Sequence, residues 1–529
     1  MSNLRVLLCL SAVAALTYLP AFQNGWVMDD GYVISQNRDL DIPILEWIFG
    51  ADYFIFSREL TYRPVVSLTH VLDRWWGLAV GHALNLALHA VTCTVLYALG
   101  KSLFGRSAAL WGTLLFLVHP AYSEAVYVIT FREDLLCGVF LASAFWAALR
   151  AKTFWSALFF GAALLSKETA VGFPFLVTAV YLLSPRRGER NEVRGADGVG
   201  GNPPPSPQPS PAGGGRGGVL IALFAVDIAY AVIRIAVLPG PGLFAAPRQI
   251  PWLVEQAGVW TGYVKILFFP SVLSIDHAAA TSLPLSIGWI GPAVLLAFAA
   301  SSFLCFARRS ISCVFGFWFF VFLLPVAGIV PLTNASAERY LYIPSIFLAL
   351  GAGCLIQRGL QAAHLYYLLA GLAVILLFSL GVRTHLRGRD FRDSRTLYTK
   401  ELDIHPNSKL STWGLGRIEF SAGNYEESRR WLTRVLELDP LFYPAFIDLG
   451  RVERAAGRSD ESERWFSAAY AAAPTDPEAI LSLAEAKRLK GDTATAEQLY
   501  REAARYPPHP LGLNQRVLDF HREVRGHFF

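Results

Sequence analysis

From the N-terminus to about residue 382, runs of apolar residues alternate with short charged or aromatic breaks; beyond 386 Arg, Glu, Lys and Asp become dense. Stretches near 4–22, 80–100, 107–123, 134–149, 168–184, 219–238, 286–306, 311–331, 340–357 and 364–382 approach the ~20 apolar residues a helix needs to cross a bilayer. A shorter stretch, 153–165, is expected to cross as well. Lipid tolerates only structures that satisfy their own backbone, so these runs predict helices. The chain is therefore expected to be all-α. A polytopic membrane bundle over 1–385 is followed by a connector at 386–408 and a soluble helical tail.

Basic residues between the apolar runs set the orientation. With the N-terminus inside, Lys101/Arg106, Arg150/Lys152, Arg186/Arg187/Arg190/Arg194 and Arg308/Arg309 all fall on the cytosolic side. This requires 252–270 to be a re-entrant or surface helix, and the count is then about eleven crossings. The tail comes to lie outside the cytosol, in a bacterial periplasm or an endoplasmic reticulum lumen. Arg5 and the apolar run 6–16 resemble a signal peptide, but the many apolar segments that follow favour a first span. Between 185 and 218 a Pro/Gly/Ser tract cannot supply a core and is expected to be a disordered cytosolic loop.

Composition narrows the class. Hydrophobic residues make up 54% and charged residues 16%, against about 25% charged in soluble domains. A net charge of +5, scattered along the chain, argues against a nucleic-acid partner. All six cysteines lie in apolar segments without a CxxC pair, which argues against a disulfide framework or a metal ribbon.

Unusual charges gather on the side opposite the basic loops: Asp29/Asp30, Glu124, Arg132-Glu133-Asp134, Lys167-Glu168, Asp276 and Glu338-Arg339. Adjacent carboxylates at a membrane face repel and are costly to desolvate, and a neighbouring acid raises a carboxyl pKa toward working pH. His82, Asn85 and His89 share one face of an apolar helix, so that face is expected to look into a polar cavity. Interhelical hydrogen bonding suits them better than metal binding, because the two histidines are two turns apart. Ionisable residues could equally cap helices, anchor the interface or form exposed ion pairs.

The tail repeats every 34 residues. Pro440, Pro474 and Pro508 keep this step, as do Gly423, Gly457 and Gly491, and as do Leu415-Gly416, Leu449-Gly450 and Leu483-Ala484. Phe466/Ala469/Pro474 and Tyr500/Ala503/Pro508 follow the large, small and breaker positions of tetratricopeptide repeats. Three repeats are expected over 409–510 as an α-solenoid, with 511–529 as capping helix and tail. Such arrays hold extended peptides or partner proteins, although a spacing role is the alternative.

Met28-Asp29-Asp30, Tyr62-Arg63-Pro64-Val65 and the His82/Asn85/His89 spacing resemble the transmembrane and tetratricopeptide repeat O-mannosyltransferases. His119-Pro120, Ser123-Glu124, Arg132-Glu133-Asp134-Leu135-Leu136, Ser166-Lys167-Glu168 and Glu338-Arg339-Tyr340-Leu341-Tyr342-Ile343-Pro344-Ser345 continue the resemblance in order. Glu133 departs from the alanine usual there, and the tail is shorter than usual. The resemblance implies a C-type glycosyltransferase fold. It further implies transfer of mannose or another hexose, with inversion, from a polyprenyl phosphate carrier to Ser/Thr hydroxyls of proteins on the periplasmic or lumenal face.

Inversion needs a base on the acceptor hydroxyl while phosphate leaves from the opposite side of the sugar. By resemblance Asp29 is that base, and Asp30 orients acceptor or sugar. Arg339, Lys167, Arg132 and Arg63 are the candidates to meet the donor phosphate. His82, Asn85, His89, Glu124, Asp134, Glu168 and Glu338 are expected to support the cavity. A divalent cation is left open, since enzymes of this fold differ in using one. Two other readings stay in play: a non-catalytic membrane scaffold whose repeats recruit partners, and a transferase acting on lipid or cell-wall glycan. A transporter is disfavoured, because neither an inverted repeat nor midplane charges are evident.

Overall fold

Apolar runs become helices in the computed structural model, which describes residues 3–35, 61–183, 214–237, 251–276, 289–327, 336–362 and 366–506. No strand occurs among the described residues. The chain forms two compact units, one from Met1–Asp30, Tyr62–Val237 and Leu243–Arg392, the other built chiefly on Asp393–Phe529.

The first unit contains α1 (Asn3–Thr17), α2 (Pro64–Trp76), α3 (Leu78–Phe104), α4 (Arg106–Val118), α5 (Ser123–Tyr127), α6 (Arg132–Leu149), α7 (Thr153–Leu164), α8 (Phe173–Leu183) and α9 (Gly214–Val237). It continues through α10 (Pro251–Phe268), α11 (Ile290–Ala307), α12 (Cys313–Leu323), α13 (Tyr342–Ala362) and α14 (Tyr366–Arg387). Gly77 and Gly105 join α2 to α3 and α3 to α4 at φ 81° and 89°, a left-handed backbone that glycine adopts without a Cβ clash. Helices α4 and α13 touch backbone to backbone. A Cβ added at Gly353 would lie 2.3 Å from the Ala108 carbonyl and 2.4 Å from the Gly112 nitrogen. Small residues permit such close approach where lipid offers no hydrophobic drive to associate.

Among the described residues, five helices are long and apolar enough to cross a membrane: Leu78–Phe104, Gly215–Ala236, Ile290–Ala307, Glu338–Gln361 and Tyr366–Arg387. Arg5–Thr17, Arg106–Val118, Thr153–Leu164, Glu168–Leu183 and Cys313–Val326 are apolar but shorter. These five do not confirm the expected count of about eleven. Apolar content ran past the helix ends: the 107–123 stretch stops being α-helical at His119-Pro120, where proline lacks the amide that would continue the ladder. The stretch at 252–270 is a regular helix, α10, that packs against α11. Of the loop expected to be disordered at 185–218, residues 185–213 lie outside the described residues and the remainder opens α9.

In the second unit α15 (Ser394–Ile404) precedes three helix pairs: α16 (Lys409–Ser421) with α17 (Tyr425–Leu438), α18 (Tyr443–Ala455) with α19 (Ser459–Ala472), and α20 (Pro477–Leu489) with α21 (Thr493–Ala503). Gly423, Gly457 and Gly491 turn each pair at φ 80°, 79° and 84°. Small residues let the helices touch: a Cβ at Gly450 would lie 2.4 Å from the Phe466 ring. Ser428 and Ser462, one repeat apart, donate to the carbonyls of Gly416 and Gly450 at 2.7 and 2.8 Å. Pro508 and the expected cap at 511–529 lie outside the described residues.

Candidate active site

A five-residue loop, 128–132, between α5 and the start of α6, organises the polar chemistry of the first unit. The Val128 carbonyl accepts from the Asn85 amide of α3 at 3.0 Å, and the Val126 carbonyl accepts from the same nitrogen at 3.3 Å. The Ile129 and Thr130 amides point at Asp30. The Phe131 ring lies 3.8 Å beneath the Arg339 guanidinium. Arg132 closes the loop onto α2 and α3.

Asp30 is fully buried. Its Oδ1 accepts from the Thr130 amide at 2.8 Å and from the Thr130 hydroxyl, and its Oδ2 from the amides of Val27 (3.2 Å) and Ile129 (3.4 Å). Burial pushes its carboxyl up to about 6, with these four hydrogen bonds opposing the rise. Asp29 is only half-buried, and Met28 before it holds a left-handed φ of 51°, a conformation retained only where surrounding structure enforces it. The adjacent acids therefore differ. Asp30 staples two loops together, and Asp29 is the more accessible carboxylate.

The four cationic candidates also part company. Arg132 is 0% exposed. It donates to both oxygens of Asp73 at 2.7 and 2.9 Å, to Asn85 Oδ1 at 2.7 Å and to the Gly81 carbonyl at 3.1 Å. Asp73 also meets His70 Nδ1 at 2.9 Å. Four of the five guanidinium N–H donors are thus occupied, so Arg132 ties α2, α3 and α6 together instead of facing a phosphate. Arg63 pairs bidentately with Glu168, both hydrogen bonds at 3.0 Å, and donates to Glu133 at 2.6 Å. It too is engaged by carboxylates. Lys167 donates to Asp134 at 2.7 Å, sits 3.3 Å from Glu133 and lies 5.6 Å from the centre of the Tyr340 ring. Burial alone would favour its neutral amine, but Asp134 and Glu133 outweigh this and raise its pKa, holding it as ammonium.

Arg339 differs in keeping donors in reserve. Its backbone amide donates to Glu124 Oε2 at 3.0 Å and its Nη1 pairs with Glu124 Oε1. The buried Nε has no hydrogen-bond partner among the described residues. A guanidinium stacked on a ring, backed by one carboxylate and with donors left over, can receive an oxyanion.

Supporting residues fall where geometry gives each a task. Glu338 Oε1 accepts from the Ser274 amide at 2.6 Å. His89 on α3 bridges the Tyr342 hydroxyl (3.0 Å) and the Leu117 carbonyl (3.2 Å), tying α3 to α4 and α13. His82 is buried on the same helix, within the field of Arg132 and Asp73. No group of three or more His, Cys, Asp or Glu among the described residues is placed to hold a metal ion. Sequence reasoning missed Asp73, Thr130, Phe131 and Arg387. A lone aspartate in an amphipathic segment and an apolar loop carry no motif.

A profile described as dolichyl-phosphate-mannose-protein mannosyltransferase matches residues 73–195, from Asp73 through the 128–132 loop to Lys167 and Glu168. A tetratricopeptide repeat profile matches 380–441 and 447–510. Protein O-mannosyl-transferase F38B6.6 of Caenorhabditis elegans is 22% identical over 449 residues, covering 79% of this chain and 60% of that protein. Protein O-mannosyl-transferase Tmtc1 of Drosophila melanogaster is 26% identical over 519 residues, covering 79% of this chain and 59% of that protein. Human Protein O-mannosyl-transferase TMTC3 is 29% identical over 160 residues, covering 28% of this chain and 17% of that protein. The chain therefore spans at most about 60% of the length of these relatives. The chain is thus similar to proteins named protein O-mannosyl-transferases over 79% of its length, and separately to the mannosyltransferase and tetratricopeptide repeat profiles.

Proposed function

We propose that this protein is an integral-membrane O-mannosyltransferase. It moves mannose from a polyprenyl phosphate carrier to Ser or Thr hydroxyls of proteins on the periplasmic or lumenal face. The observation that carries this reading is the 128–132 loop, which bonds Asp30, the neighbour of Asp29, and supports the partly unmet guanidinium of Arg339 on successive residues. Similarity to proteins named O-mannosyl-transferases supports the sugar and the acceptor class.

The chemistry follows from these positions. The Asp29 carboxylate takes the proton of the acceptor hydroxyl as that oxygen attacks the anomeric carbon. The bond from that carbon to the phosphate oxygen breaks on the far side, and configuration inverts. Arg339 takes up the charge that grows on the leaving phosphate, with Lys167 adding positive potential nearby. Asp30 fixes the backbone that presents Asp29. The repeats present the acceptor polypeptide.

The test uses purified full-length protein in liposomes with polyprenyl-phosphate-mannose and a Ser/Thr-rich peptide, read by glycopeptide mass spectrometry. Hexose additions that vanish with Asp29→Asn are the expected result. Mannose appearing only on lipid or glycan would reassign the acceptor, and no transfer from the wild type would overturn the reading.

A further inference from the structure

Arg387, in the last turn of α14, is 2% exposed. Its Nη1 donates to Asp390 at 3.1 Å, and its guanidinium lies 5.1 Å from the Phe391 ring centre. The buried Nε and Nη2 have no hydrogen-bond partner among the described residues. Nη2 stands 3.9 Å from Glu338 Oε2, beyond hydrogen-bond reach. Leaving donors of a buried cation unmet is costly, and the equally buried Arg132 shows how completely this fold can satisfy a guanidinium.

Arg383, one turn earlier on α14, donates to the Ser271 carbonyl at 3.2 Å. The same 271–274 segment supplies the Ser274 amide to Glu338, the residue preceding Arg339. Two arginines, one with an open planar fork, thus stand at the end of the last apolar helix of the first unit. An interfacial helix end is where lipid phosphates lie, and a phosphate ester offers the paired oxygens that such a fork accepts. Asp390 and Glu338 steady the guanidinium without filling it.

We propose that Arg387, with Arg383, forms a second phosphate-binding site that takes the phosphate ester of a membrane lipid. The source is either the polyprenyl-phosphate-sugar donor or a bulk anionic phospholipid. The donor case rests on the function proposed above, and the experiment separates the two claims. Full-length protein in nanodiscs is titrated with polyprenyl-phosphate-mannose at fixed peptide, comparing wild type, Arg387→Gln and Arg387→Lys. Retention of polyprenyl phosphate and of phosphatidylglycerol is measured in parallel by native mass spectrometry. Arg387→Gln is expected to raise the donor KM about ten- to a hundredfold, the worth of a charged bidentate contact, with peptide KM unchanged and Arg387→Lys in between. Loss of phosphatidylglycerol retention with unchanged donor KM supports the site with bulk lipid as its source. Unchanged donor KM and unchanged retention of both lipids overturn it. An inactive wild type sinks the transferase reading, while the retention arm still decides the phosphate site. If Arg387→Gln does not fold, Arg387→Lys and Arg383→Gln carry the same comparison.

Discussion

The substitution Asp30→Asn separates the two aspartates by physics that can be worked through. Asp30 accepts from the Thr130 amide and hydroxyl on Oδ1, and from the Val27 and Ile129 amides on Oδ2. Asparagine keeps one oxygen. Placed to retain the shorter Thr130 bonds, it turns its NH2 toward two N–H donors, and each orphaned buried group costs about 1–3 kcal/mol. The two hydrogen bonds that asparagine cannot accept are the long ones, 3.2 and 3.4 Å. These losses come to about 3 kcal/mol, and near neutral pH they are offset by the similar relief of no longer burying a charge, so the unfolding midpoint should stay close to that of the wild type at pH 7. Ionisation adds a second signature. The folded carboxyl titrates near 6 against 3.8 ordinarily, so the native state holds its proton more tightly than the unfolded chain. The charged form thus destabilises the fold by about 3 kcal/mol well above pH 6, and the cost fades as pH falls through 6 toward 3.8. Between about pH 7 and pH 5 the wild type should gain about 1 kcal/mol from this group, and Asp30→Asn should lose that gain. Thermal unfolding in detergent over this pH range, run beside the transfer assay, reads both effects. Asp29→Asn should instead abolish transfer with its midpoint unmoved. If Asp30→Asn loses transfer while Asp29→Asn stays active, the roles assigned here are reversed.

Three further outcomes bear on the surrounding structure. Asp73→Leu and Arg132→Met should each destabilise by about 3–5 kcal/mol by stranding a buried charge, and the double variant by less than their sum, as unfolding midpoints would record. Gly353→Ala should cost about 1–3 kcal/mol, because its methyl must part α4 from α13 at the Ala108 carbonyl; a midpoint equal to wild type would contradict that close approach. Asp476→Ala removes the cap accepted from the Ala479 amide at 2.9 Å, and should lower the stability of the second unit by about 0.5–2 kcal/mol, seen as faster limited proteolysis there.

Periodicity made most of the architecture legible. Gly423, Gly457 and Gly491 sit 34 apart because each pair of helices needs one left-handed residue at the same place, so the repeat shows in sequence. Span count was less legible. Hydropathy does not see that a proline ends a helix while the apolar run continues, and Pro120 ended α4 in this way. The polar cluster was legible as a set of residues but not as a set of roles. Arg63, Arg132 and Arg339 look alike in a string of letters, since each borders an apolar stretch on the same side. What distinguishes them is how many hydrogen-bond acceptors reach each guanidinium, a long-range property: Asp73 lies 59 residues from Arg132, Glu168 lies 105 from Arg63, and Glu124 lies 215 from Arg339. Saturated arginines hold helices together, and an arginine with donors in reserve can meet an anion that arrives later. By that criterion the proposed phosphate contacts go to Arg339 and Arg387, and Arg132 holds helices together.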